Sequence, residues 1–185
     1  HATSKLTTVA DLTNVATLGF RGEALASIAA VASVRLTTKT ADAATATAIE
    51  LNDGEVVRIG PAPGISGTTV QADTLFATIP ARVKFIKSAV AELGSVRQTV
   101  ERMALANPSV RFSLKADDKL SVATSGNGNL RDAVATLYGQ ELASAMIEIQ
   151  SSSGVYPVGG LISLPSHNRA NRTGITTFVN GRWIQ

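Results

Sequence analysis

Thr17-Leu18-Gly19-Phe20-Arg21-Gly22-Glu23-Ala24-Leu25 (TLGFRGEAL, residues 17–25) is the stretch from which the rest of the chain is read. Two glycines flank a turn, and a glycine lets the backbone come close to a ligand because no Cβ intervenes. The residues that follow, Gly22 to Val34 (GEALASIAAVASV), are dense in Ala and Leu with apolar residues on every face. That pattern predicts a buried helix whose first turn points unpaired N–H groups and a positive dipole end at the glycine loop. A glycine loop opening a helix is a general phosphate site. A tight turn into a core helix fits the same residues.

Outward from this joint, alternation predicts a strand over 34–38. A hairpin is predicted from Thr45–Leu51 and Val56–Ile59 across Asn52-Asp53-Gly54. Gly60-Pro61-Ala62-Pro63-Gly64 reads as a loop and Thr68–Gln71 as a further strand. One helical block is expected from Pro80 to Asn107, with proline in its first turn and Val90, Leu93, Val96, Val100, Met103 and Leu105 at mostly helical spacing. Val110–Lys115 and Leu120–Thr124 form a second hairpin around Asp117-Asp118. Ser125-Gly126-Asn127-Gly128-Asn129 is the most linker-like stretch, and a domain boundary is expected there. Leu130–Tyr138 reads as a helix closed by Gly139, and strands are expected over 145–150, 155–163 and 173–179. Helices mixed with antiparallel strands indicate an α+β architecture.

Composition narrows the chemistry. The 185 residues contain no Cys, which excludes a disulfide framework, a thiolate metal site and a Cys nucleophile. The only two His, His1 and His167, are too far apart in sequence to suggest a zinc site. No apolar run approaches the roughly 18 residues a membrane helix needs. A net charge of +3 is compatible with a polyanionic partner without requiring one. The chain opens at His1 rather than Met and stops at Gln185 just after a strand-like run, and both ends read as cuts through a larger protein. A cut of this kind is expected to leave apolar surface exposed and to favour self-association. His1 to about Thr8 is expected to be poorly anchored.

Three further groups of residues matter. His1-Ala2-Thr3-Ser4-Lys5 places two hydroxyls and a mobile point charge in succession, all able to donate to phosphate oxygens, although a solvated loop looks the same. Gly67-Thr68-Thr69-Val70 starts a strand with two adjacent hydroxyls, which also simply suit a β-surface. Arg21 and Glu23 read as structural groups that hold the loop by ion pair or cap.

HATSKL followed by TLGFRGEALASIAAVASV resembles the signature stretch of the MutL family of DNA mismatch repair proteins. Leu75 to Phe85 (LFATIPARVKF) is similar to that family's LFYNTPARRKF, departing at Ala77, Thr78 and Ile79, and Phe178 to Arg182 (FVNGR) is similar to its VNGR strand. Order and spacing agree over the whole chain. The resemblance implies an α+β fold: the two-layer α/β ATPase sandwich shared with gyrase-type topoisomerases, a heat-shock chaperone and histidine kinases, over residues 1–126. The start of a split β-α-β transducer domain would follow over 127–185.

It further implies that Thr3, Ser4 and Lys5 end an ATP lid. Gly19, Phe20, Arg21, Gly22, Glu23, Ala24 and Leu25 would wrap the phosphates, and Thr68 would lie at the adenine-side wall. The family's water-activating glutamate, Mg²⁺-holding asparagine and adenine-reading aspartate would precede His1, and its γ-phosphate lysine would follow Gln185. No catalytic residue and no metal ligand is therefore expected within 1–185. The parent protein is expected to be an ATPase using ATP with Mg²⁺, homodimerising through its N-terminal region when ATP is bound. Its partners would be DNA and other mismatch repair proteins, without a membrane. The piece alone is expected to be inactive and to hold no nucleotide tightly. A bacterial, cytoplasmic setting is expected, or a nuclear one in a eukaryote. The rival readings are the ATPase subunit of a topoisomerase and a non-catalytic interaction module.

Overall fold

A computed structural model describes residue 8, residue 19 and residues 22–184, except 153 and 169, and except the side chain of Thr173. Its described part forms two compact units, residues 1–86 and 87–185.

In the first unit a short helix, α1 (Ala24–Ala29), leads into strand β1 (Ser33–Lys39). Strands β2 (Ala46–Asn52), β3 (Glu55–Ala62) and β4 (Gly67–Asp73) complete an antiparallel sheet in the order β3-β2-β1-β4. The β2–β3 turn is built on Asp53 and Gly54, both with positive φ (49° and 81°), as a two-residue primed turn requires. Register places Val34 beside Leu51 and Ala72, and Leu36 beside Ile49 and Val70, so these share one face. Ala29 and Ala32 pack there against Val34, with Leu51 at the margin. The other face is polar, with an Arg35–Glu50 ion pair of 3.3 Å and a Gln71–Asp73 hydrogen bond.

The last turn of α1 is tied down from two directions. Gly54 N–H donates to Ala29 O at 2.8 Å, and Phe76 N–H donates to Val31 O at 2.7 Å. Burial reaches only that last turn. Ala29 is 2% exposed, whereas Leu25 is 45% and Ile28 37% exposed, so the expected long buried helix is corrected to six residues with an open first turn. A helix this short can lay one turn on the sheet, and the side chain it lays there is an alanine. The same sheet face carries Ile59 and Val70 largely exposed, at 67% and 45%.

Two more expectations are corrected in this unit. Gly60 to Ala62 is not a loop but the end of β3, with Gly60, Pro61 and Ala62 opposite Ala48, Thr47 and Ala46. Proline is admissible because β3 is an edge strand and Pro61 needs no donor on its outer side. The single helical block from 80 to 107 is two helices, α2 (Pro80–Val83) and α3 (Ala89–Ala106). Ser88 accepts from Ala91 N–H at 3.4 Å, while Glu92 accepts from Lys87 N–H at 3.0 Å, a reciprocal cap that starts α3 afresh.

In the second unit α3 is followed by a hairpin of β5 (Ser113–Ala116) and β6 (Lys119–Ala123), turning on Asp117 and Asp118 at φ 46° and 63°. Helix α4 (Leu130–Tyr138) packs Leu137 with Ala104 and Val122, backed by Val100, Leu105, Phe112 and Leu114. Asn129 caps α4 by accepting from Arg131 N–H (2.9 Å) and Asp132 N–H (3.3 Å), and Gly139 closes it at φ 100°. Helix α5 (Gln140–Ser144), not anticipated from the sequence, leads to the hairpin β7 (Met146–Ser151) and β8 (Val158–Ser163). Arg131 donates to the carbonyls of Ala143 and Met146, joining α4 to the end of α5 and the start of β7. A last hairpin, β9 (Thr177–Val179) and β10 (Arg182–Ile184), turns on Asn180 and Gly181. Arg102 of α3 stacks over Trp183 of β10 at 3.6 Å from the ring centre.

The stretch 125–129, expected to be a linker, lies inside this second unit. Gly126 presses against the backbone of Val110 and Arg111, Gly128 N–H donates to Pro108 O at 3.0 Å, and Asn127 Nδ2 donates to Asp132 at 2.6 Å. Small polar residues here serve close packing and capping. The chain divides instead between Ile86 and Lys87.

Candidate functional site

Of the residues assigned to phosphate, Gly19, Gly22, Glu23, Ala24 and Leu25 are described. Thr3, Ser4, Lys5, Phe20 and Arg21 lie outside the described residues, as does His1 to Thr7 of the segment expected to be poorly anchored. Gly22 has φ +63°, a left-handed conformation that costs an L side chain about 1–2 kcal/mol. It turns the chain into Glu23 (φ −107°, ψ −19°), whose carbonyl accepts the first helical hydrogen bond from Ser27 N–H at 2.8 Å. The N–H groups of Ala24, Leu25 and Ala26 therefore have no intrahelical partner, and all three residues are exposed. A backbone presented this way can donate several hydrogen bonds to an anion. With six residues, α1 contributes a small dipole, so the donors matter more than the field.

Glu23 is the N-cap residue and its side chain makes no capping bond, which corrects its assignment as a cap and as a first-turn acid. Gly19 is exposed, and a Cβ built on it would meet nothing within 4 Å. Its glycine identity therefore answers to no described neighbour.

Thr68 stands on β4 opposite Thr38 of β1, and the two hydroxyl oxygens are 2.8 Å apart. Alternation puts Thr38 and Thr68 on the sheet face that carries Val34, Leu36 and Val70, the face on which α1 packs. Thr47 of β2 is the other register partner of Thr38, so three threonines cross an otherwise apolar face in one row. Four residues of strand, about 13 Å, separate that row from Val34 beneath α1. The structure thus sets Thr68 and the helix on one face, apart along the strands. Sequence reading named Thr68 but missed Thr38. The signal was a Thr-Thr pair in each of two strands, whose pairing no sequence spacing reveals.

Among the described residues no group of three or more His, Cys, Asp or Glu is arranged to hold a metal ion. No helix among them is long and apolar enough to cross a membrane.

Comparison with known proteins now adds the family. A family model described as the C-terminal domain of DNA mismatch repair proteins matches residues 134–185. The DNA mismatch repair protein MutL of Staphylococcus carnosus (strain TM300) is 42% identical over all 185 residues. That of Lacticaseibacillus paracasei (strain ATCC 334) is 45% identical over the same span. In both cases the chain spans 28% of the relative's length. Among solved structures, the Aquifex aeolicus MutL ATPase domain complexed with ADP superposes with a TM-score of 0.75 at 23% identity. The match covers 97% of this chain and 67% of that one. The N-terminal domain of a DNA repair protein superposes with 0.76 at 24% identity, covering 91% and 56%.

The antiparallel sheet with α1 on its apolar face, continued by the second unit, is therefore the α+β fold of mismatch repair ATPase domains. Sequence identity along the entire chain then settles the lineage. The chain belongs to the MutL family of DNA mismatch repair proteins.

Proposed function

We propose that residues 1–185 form part of the nucleotide-binding and signal-transducing region of a MutL protein that binds and hydrolyses ATP with Mg²⁺. ATP binding drives N-terminal homodimerisation, and the dimer coordinates repair on DNA with other mismatch repair proteins. Residues 1–126 belong to the ATPase sandwich and 127–185 to the transducer. Gly19 to Leu25 cradle the phosphates through backbone N–H groups, Thr3, Ser4 and Lys5 close over them from the lid, and Thr68 faces the adenine side. The observation that carries this reading is Gly22 at φ +63° leading into a helix whose first N–H groups are exposed and unpaired, within a family-matched GFRGEAL run. The described residues do not themselves offer a Mg²⁺ site, so no step of the chemistry is assigned to them through the metal.

On this reading the 185-residue stretch by itself neither hydrolyses ATP nor binds it tightly. A cradle hydrogen bond contributes about 0.5–1.5 kcal/mol net, somewhat more to a charged acceptor. Association costs at least about 4 kcal/mol before any affinity appears. A few such bonds without a base-reading carboxylate or a metal leave little surplus.

The test is Gly22→Val in the full-length protein, with nucleotide affinity and urea unfolding measured together. Loss of ATP binding by a variant that still folds supports the phosphate role. Wild-type affinity per folded molecule, with reduced stability alone, reduces Gly22 to a turn residue and sinks the assignment.

A further inference from the structure

We infer that Thr38 is a positioning residue for base recognition, holding the Thr68 hydroxyl so that its lone pairs face the ligand. The inference rests on the reading above that places Thr68 at the adenine-side wall.

The argument is one of proton counting. A threonine hydroxyl has one proton to give and two lone pairs to accept with. The Thr38 hydroxyl donates to Gly67 O at 3.4 Å and lies 2.8 Å from the Thr68 hydroxyl. With its single proton directed to Gly67 O, Thr38 can only accept from Thr68. Thr68 then spends its own proton on Thr38 and offers acceptor lone pairs to whatever approaches the face.

The arrangement is held by strand register rather than by flexible loops. Thr38 opposes Thr68, and Lys39 opposes Gly67, so the donor, the acceptor and the carbonyl belong to two consecutive rungs of one ladder. The neighbouring rungs on this face are Leu36 beside Val70 and Val34 beside Ala72, all without side-chain hydrogen-bonding groups. A polar pair on an apolar surface is where a flat, mostly apolar base with a few edge donors would find its complement. An acceptor at Thr68 suits a purine bearing an exocyclic amine, directly or through one water. It opposes a purine bearing a carbonyl at that position, because two acceptors would face each other. The ligand class is therefore a 6-amino purine nucleotide in preference to a 6-oxo one.

The experiment compares equilibrium binding of ATP and of inosine triphosphate to the full-length protein carrying Thr38→Val, Thr38→Ser or Thr68→Val. Valine keeps the β-branched shape of an exposed strand position, so the sheet should persist. The unfolding midpoint checks this. Thr38→Val is expected to reduce the preference for ATP over inosine triphosphate by roughly tenfold, the usual scale for one mismatched hydrogen bond in a binding pocket. Inosine triphosphate affinity and the unfolding midpoint stay near wild type, and Thr38→Ser restores the preference. If Thr38→Val leaves the preference unchanged while Thr68→Val lowers it, Thr68 acts without Thr38 and the inference is overturned. If neither valine variant alters it, the placement of Thr68 beside the base falls, and the inference falls with it.

Discussion

Gly126→Ala tests whether the 125–129 stretch is packed structure or a linker. Gly126 sits at φ +70°, and a Cβ built there lies 2.6 Å from Arg111 N, with Arg111 Cα and Val110 C each at 3.0 Å. Those are backbone atoms, so no side chain can swing aside. The left-handed backbone alone costs an alanine about 1–2 kcal/mol. Forcing the two segments apart adds roughly 1–3 kcal/mol, the usual cost of overpacking. Gly128→Ala is the internal control. Its φ is similar (+83°), but its added methyl meets only Ser109 Oγ, at 3.4 Å. The two substitutions share the conformational cost and differ in the steric one. Gly126→Ala should therefore be the more destabilising by roughly 1–3 kcal/mol. The sole tryptophan, Trp183, lies in the same compact unit, so its fluorescence in urea follows the relevant unfolding. At about 2–4 °C per kcal/mol for a chain of this size, thermal melts separate the variants as well. Equal losses for the two alanines would refute the close packing of Gly126 on the 110–111 backbone, and a neutral Gly126→Ala would restore the linker reading.

Asn129→Ala removes the acceptor for two N–H groups at the start of α4 and should cost about 1 kcal/mol, read as a shifted urea midpoint with an unchanged slope. Ala29→Leu should destabilise the first unit by roughly 1–3 kcal/mol because Ala29 is buried against the sheet, whereas Ala26→Leu at an exposed position should be nearly silent. Differential hydrogen exchange at the amides of Gly54 and Phe76, which bond to the end of α1, would show the difference. Arg102→Ala removes the cation from the face of Trp183 and should shift its emission while lowering stability by about 0.5–1 kcal/mol. An unchanged spectrum would mean the stack is not populated in solution.

The turns were legible because their chemistry is local. Asn52-Asp53-Gly54 and Asp117-Asp118 supply residues that tolerate positive φ, and both hairpins form on them, while Gly139 ends α4 where the pattern places it. The same logic, applied to Asn180-Gly181, would have found the β9–β10 hairpin. Ser88 with Glu92 was likewise a readable helix start inside a run of helical spacing. The glycine at 22 announced a backbone that only glycine adopts freely, and its observed φ agrees.

Tertiary structure alone decided the rest, because the deciding quantity was a neighbour. Pro61 belongs in a strand because β3 ends the sheet, and strand order is not written in any local window. The apolar run after Gly22 carries enough alanine and leucine for a buried helix. How much of it is covered depends on what lies across from it, and the sheet reaches only Ala29 and Ala32. Gly126 and Gly128 have the composition of a linker and the role of a packing contact, since what makes a glycine necessary is the backbone 15 residues earlier in the chain at Arg111. Thr38 and Thr68 are 30 residues apart and meet only through the β1–β4 register. Local conformation follows from the residue and its nearest neighbours, but burial, edges and hydroxyl partners are set by pairings across the sheet, and those exist only once the chain has folded.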